Sequence, residues 1–226
     1  GNGIGSNISN IALVFCISIL FIKKNVNSLS IPLKPFISMI FITIALFFLI
    51  VFDNYFDMYD SIILIIILLI SFYYFISPDN KNIQEKKNNK SLLAIFSFSA
   101  LGLLMLIYGS DLFINGASDI ALMFGVSSYV IGLTLTALGT SLPELTANIQ
   151  SARKGYHDFI IGNIIGSNIF NIAVALALAG LINGTNVNIS DFIRDISIFL
   201  VSILIFYKIV NTNKNLIRTV YSIALV

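Results

Sequence analysis

The chain has 226 residues, 57% of them hydrophobic and 11% charged, and a formal net charge of +2. Its mean hydropathy is +0.94. A soluble domain carries about 25% charged residues, so this composition excludes a water-solvated globule and makes lipid the solvent. Apolar runs follow in chain order at Ile8–Ile22, Phe36–Phe52, Ser61–Ile76, Leu92–Ile107, Ile120–Leu138, Phe159–Ile182 and Ile193–Ile209, with a last one from Leu216. Several reach the roughly 17–25 residues a helix needs to cross about 30 Å of hydrocarbon. An all-α polytopic membrane protein is predicted. Leu216–Val226 would make only about 16 Å of helix, an incomplete last span. The single cysteine, Cys16, excludes an intrachain disulfide. With Gly at position 1 and no basic stretch before the first apolar run, the chain is expected to begin part-way through a larger protein.

The charges between the runs alternate. Lys23, Lys24 and Lys34 precede the second run, Asp53, Asp57 and Asp60 the third, and Lys81, Lys86, Lys87 and Lys90 the fourth. Arg153 and Lys154 follow, then Asp191, Arg194 and Asp195, then Lys208, Lys214 and Arg218. If Leu92–Phe124 is one long span and Gly125–Ser128 a turn, every base except Arg194 falls on one side, which Lys and Arg bias makes cytoplasmic. Residues 78–91 then form a cytoplasmic linker. A solvated connection accounts for it, with lipid-headgroup attraction as the alternative.

A repeat divides the chain. GNGIGSNISNIA at 1–12 returns as GNIIGSNIFNIA at 162–173, differing only at Gly3/Ile164 and Ser9/Phe170. On the loop charges the first copy runs outside to inside and the second inside to outside, so the halves, 1–77 and 92–226, are predicted to be inverted repeats. Such repeats place a site near the bilayer midplane, lined by interrupted helices.

TALGTSLPELTA at 136–147 puts Glu144 in apolar surroundings. Pro143 deprives the Gly139 carbonyl of its helical partner, which predicts a break and free carbonyls around 137–140. Those must face a cavity or be satisfied internally. Thr140 and Ser141 add hydroxyls within a turn of Glu144, and a carboxylate, hydroxyls and carbonyls together suit a hard cation. A proline kink with back-bonded hydroxyls is the structural alternative. An ionisable group at membrane depth favours the functional reading, and no base in its own helix lies within reach. Ser167 and Asn171, like Ser6 and Asn10, are four apart and share a helix face, offering neutral oxygens. Asn7 and Asn168 compete between site and interhelical hydrogen bonding. Gly162 and Gly166 form a small-residue face for close helix approach, and Gly1 and Gly5 repeat it. Asp111, Asn115 and Asp119, with Ser118, form a polar stripe that either lines an aqueous approach or packs helices. His157, beside Asp158, is read as solvated. No phosphate loop, metal-spaced Cys/His set or nucleophile–base pair occurs, so no enzyme and no resident cofactor are expected.

ALGTSLPEL at 137–145 followed by GNIIGSNIFNI at 162–172 resembles the second α-repeat of the sodium/calcium exchanger family, and GNGIGSNISNI at 1–11 the second half of its first. The resemblance implies ten helices in two inverted halves, of which this chain would hold about eight, exchanging Na+ for Ca2+ by alternating access. It implies Glu144 as the carboxylate shared by both ions, the Thr140 carbonyl as a calcium ligand, and Ser141, Ser167 and the Ala137 carbonyl as sodium ligands. Ser6 and Asn10 would complete the ring. Asn171 stands where some relatives carry Asp, which points away from potassium dependence. The first two helices and their glutamate are not in this chain, so missing N-terminal helices are expected to complete the site. Partners are thus Ca2+, Na+ and the lipid bilayer, not nucleic acid, in a cell membrane. The alternatives are a proton-coupled Ca2+ exchanger or a non-transporting membrane subunit.

Overall fold

The computed structural model describes residues 2–22, 29–76, 92–126 and 139–212. The 78–91 linker, the stretch from Leu216, Lys23, Lys24 and Ala137 lie outside them. The chain divides into two compact units, one made of Gly1–Ile76 and Glu144–Val226, the other of Ser77–Pro143.

The first unit opens with α1 (Asn2–Ser9), which passes into a π turn at Asn10–Phe15 and continues as α2 (Cys16–Leu20). Next come α3 (Leu33–Asp53), β1 (Tyr55–Phe56) and α4 (Met58–Ile76). In the second unit lies α5 (Leu92–Met123). The first unit resumes with most of α6 (Leu142–Lys154), then α7 (His157–Phe170). A second π turn at Asn171–Leu176 leads into α8 (Ala177–Ile182), β2 (Thr185–Asn186) and α9 (Ile189–Asn211). Among the described residues, Gly3–Leu20, Leu33–Asp53, Phe96–Met123 and His157–Ile182 are long and apolar enough to cross a membrane.

The helix surfaces show why lipid is the solvent. In α3, Phe36, Met39, Ile42, Leu46 and Ile50 recur at three- and four-residue spacing and are buried. The opposite face, with Ile37, Phe41, Ile44, Phe48 and Phe52, is exposed and equally apolar. A helix that is hydrophobic all round has no face for water. Helix α9 follows the same rule inside, with Phe192, Ile196, Phe199, Ile203 and Phe206 buried. Phe206 meets Phe15 edge-on with ring centroids 4.6 Å apart, and Tyr207 stacks on Phe36 at 5.5 Å.

The polar breaks between runs are helix caps and turns. Asp57 Oδ1 accepts from the Tyr59 and Asp60 N–H groups at 2.7 and 3.2 Å, and Asp60 Oδ2 accepts from the Asp57 N–H at 3.1 Å. This reciprocal box satisfies donors that the start of α4 would otherwise leave open. Asn188 caps α9 through the Ser190 N–H at 3.1 Å. The strands pair antiparallel, Tyr55 with Asn186 and Phe56 with Thr185, joining the loop after α3 to the loop after α8. Helix α5 is one uninterrupted element, as the loop charges required, and it ends where the Gly125 turn was expected. There the Gly125 N–H reaches the Leu122 carbonyl and the Val126 N–H the Ala121 carbonyl, with Gly125 at φ 78°. The same closure at Gly155, φ 83°, stops α6 and allows α7 to begin two residues later. Both glycines occupy the left-handed region that a β-carbon disfavours.

The two copies of the repeat have matching irregularities. Asn10 and Asn171 are equivalent positions, and each starts a π turn of the same length. A π turn inserts one residue into the α-helical count and re-aims the side chains beyond it, frequently at functional sites.

Candidate functional site

Helix α6 begins at Leu142, after a helical turn at Gly139–Thr140 and a break at Ser141. The interruption falls just ahead of Pro143, whose missing N–H is best tolerated in a first helical turn. Glu144 follows it, still in the first turn of α6. One carboxylate oxygen, Oε2, is buried and has no hydrogen-bond partner. Among the described residues Glu144 makes no ion pair: Arg194 binds Asp191 and Asp195, and Arg153 lies over the Phe21 ring at 5.1 Å.

Glu144 forms one wall of a cavity of about 330 Å³. Among the described residues the rest of the lining comes from one face of α7, with Gly162, Gly166 and Phe170 along one edge and Asn163 and Ser167 along another, continued by Asn171 at the start of the π turn. The three polar residues are spaced four apart, so their side chains stack one turn above another opposite the carboxylate. Among the described residues there is no group of three or more His, Cys, Asp and Glu side chains suited to a metal. Any cation held here would meet one carboxylate and neutral amide and hydroxyl oxygens, a donor set for hard ions.

Behind this wall the repeats interlock through their asparagines. Asn171 Nδ2 donates to Asn7 Oδ1 at 3.0 Å, and Asn10 Nδ2 donates to Asn168 Oδ1 at 3.1 Å. Because Asn7 corresponds to Asn168 and Asn10 to Asn171, these two bonds are one bond made twice, as a two-fold relation between the copies requires. Asn7 Nδ2 also donates to the Asn168 carbonyl at 3.2 Å, and Asn168 Nδ2 reaches Met39 Sδ at 3.8 Å. Asn7 and Asn168 are fully buried and Asn10 nearly so.

Of the residues expected from sequence, the cavity brings together Glu144, Ser167 and Asn171. Asn10 sits in the amide cluster, its Oδ1 buried and unpartnered, and Ser6 is half-buried on α1. Thr140 is exposed and Ser141 buried, with an unpartnered Oγ; both belong to the second unit. Among the described residues no helix closely approaches Gly162 or Gly166, contrary to the expectation. A β-carbon at either would meet nothing within 4 Å, and the space beside them is the cavity. His157 is half-buried, with Nδ1 buried and unpartnered, where it opens α7 directly after the tight turn at Gly155. Two residues escaped the sequence reading, Asn148 and Asn163. Asn163 Nδ2 donates to Asn148 Oδ1 at 3.0 Å, tying α7 to α6 beside Glu144. Their spacing was a usable signal, since Asn148 is four residues from Glu144 and Asn163 four from Ser167.

Apolar spans, interrupted helices and an inward carboxylate define an integral, multi-pass, all-α membrane protein. Solved structures of the sodium-calcium exchanger NCX_Mj share this fold. One soaked with 2.5 mM Na+ and 10 mM Sr2+ matches 100% of this chain and 73% of its own, with a TM-score of 0.75 and 28% identity. The chain belongs to the sodium/calcium exchanger protein family, whose model matches residues 94–226. It is 32% identical over 187 residues to an uncharacterized membrane protein of Methanocaldococcus jannaschii, covering 80% of this chain and 59% of that one. It is 42% identical over 112 residues to the sodium/calcium exchanger MaX1 of Methanosarcina acetivorans, covering 50% of this chain and 32% of that one. The matched stretch is thus under two thirds of either curated relative.

Proposed function

We propose that this chain forms the ion-binding half of an antiporter that exchanges Na+ for Ca2+ by alternating access. The observation that carries the reading is the unpaired, buried carboxylate oxygen of Glu144 in a cavity walled by Ser167, Asn163 and Asn171. A carboxylate at membrane depth costs a few kcal/mol on insertion scales, and a mobile cation offsets that cost where no fixed base does. Glu144 would be satisfied alternately by Ca2+ and by Na+, since one carboxylate cannot neutralise both at once. Ser167 and Asn171 would supply neutral oxygens. Thr140, Ser141 and the Ala137 carbonyl would contribute from the break before α6, and Ser6 and Asn10 from the first repeat. Asn10 Oδ1, buried and unpartnered, is an atom of the required kind. The repeats, residues 1–77 and 92–226, would be the two inverted halves that meet at this site, and a neutral Asn171 would leave exchange independent of K+.

Calcium-45 uptake into vesicles containing the complete protein tests the reading. Uptake should follow an outward Na+ gradient, ignore K+ and fall at least tenfold in Glu144→Gln. Uptake driven by a proton gradient alone would instead identify a proton-coupled exchanger. Absence of gradient-driven uptake would leave a non-transporting membrane subunit.

A further inference from the structure

A carrier that holds its ion through one buried carboxylate must also let that ion go. Once the cation has left, the carboxylate is again unpaired in a low-dielectric site, and the cost of that state slows release. A donor that takes over the carboxylate would remove the difficulty, and α6 carries one. Asn148 is fully buried, and its Nδ2 has no hydrogen-bond partner. It lies four residues after Glu144, whose Oε2 is likewise buried and unpartnered. Residues at i and i+4 of a helix have β-carbons about 5–6 Å apart. Helical side chains also lean toward the N-terminus, so Asn148 leans over the turn that bears Glu144.

The amide is oriented for this task. Asn163 Nδ2 donates to Asn148 Oδ1 at 3.0 Å, which occupies the acceptor end and leaves the N–H₂ end free. Turning the Asn148 amide alone would set two donors against each other across α6 and α7. Two orphaned groups of opposite hydrogen-bonding sense, a carboxylate oxygen and an amide N–H, therefore stand one helical turn apart on one helix. Joining them would take a change of Glu144 rotamer.

Resting on the exchanger reading above, we propose that Asn148 is a positioning residue that receives the Glu144 carboxylate when the cation departs, with Asn163 holding it in the receiving orientation. The amide then competes with the ion, keeping affinity low enough for turnover. The consequence has an unusual sign. Removing Asn148 strengthens ion binding, because the empty site loses its stabilising partner while the loaded site does not.

The test is calcium-45 binding and flux for the protein in vesicles, comparing wild type with Asn148→Leu, and with Asn148→Ala should leucine not fold. The expected result is Ca2+ binding tightened roughly tenfold, the equilibrium equivalent of one charge-assisted hydrogen bond, with KM and kcat both lowered as release slows. A merely structural role predicts equal or weaker binding with kcat falling alone, and that outcome overturns the proposal while leaving the site reading intact. If wild type binds no Ca2+, the site reading fails and this proposal fails with it.

Discussion

Asn171 spends its amide N–H on Asn7 Oδ1, 3.0 Å away, while forming part of the cavity wall. An aspartate there would set a carboxylate oxygen against that acceptor. Asn7 could turn its own amide to meet it only by giving up the 3.2 Å bond from its Nδ2 to the Asn168 carbonyl. An amide at 171 therefore serves the packing of the two repeats as well as the cavity wall. Asn171→Asp is expected to cost about 1–3 kcal/mol through the lost bond and the unpaired buried acceptor. The measurement is Tm in detergent without Ca2+, and an unchanged value would show that the bond contributes nothing to stability. Glu144 stood out in the sequence because a lone carboxylate in an apolar run has few structural explanations. Asn148 and Asn163 were not, because each looks like an ordinary helix asparagine until the fold sets them 3.0 Å apart.

At the scale of elements, the break before α6 depends on a close approach as well as on Pro143. A β-carbon on Gly139 would overlap Cδ1 and Cγ1 of Ile114 on α5. Gly139→Ala should therefore destabilise the fold by about 1–3 kcal/mol, the usual cost of overpacking, and Ile114→Ala should relieve most of that in the double variant. Urea unfolding of the four proteins in the cycle checks it. Additive effects, with no coupling energy, would mean that the two residues do not press on each other. Sequence could forecast this break because glycine and proline act through the local backbone. It could not forecast the π turns at Asn10–Phe15 and Asn171–Leu176. Over six residues, five of them apolar, the α and π periods select nearly the same pattern, and what distinguishes them is how the helix packs. The glycines at 162 and 166 misled for a related reason. A face of small residues reads the same whether a helix or an open space lies beside it, and among the described residues it is the cavity.

For the molecule as a whole, the repeat was visible in the sequence, but what it builds was not. Its two copies meet through reciprocal amide bonds, Asn10 to Asn168 and Asn171 to Asn7, so the cavity wall on α7 is braced by α1 from the other half. Unfolding that disrupts either copy removes the brace and the site together. Binding at the site must then stabilise the whole first unit by linkage, since the unfolded chain has no reason to gather Glu144, Ser167 and Asn171. Ca2+ at about a hundred times its Kd should add ~2.7 kcal/mol to stability, seen as a higher Tm in calorimetry or intrinsic tyrosine fluorescence. Glu144→Gln should abolish the increment, because the neutral oxygens alone leave the cation's charge uncompensated. Mg2+ should give much less, being smaller, bound by water more tightly and demanding near-octahedral geometry. If Mg2+ stabilised as well as Ca2+, or Glu144→Gln retained the shift, the ions would be acting elsewhere, and the cavity beside α7 would have to be given up as their site.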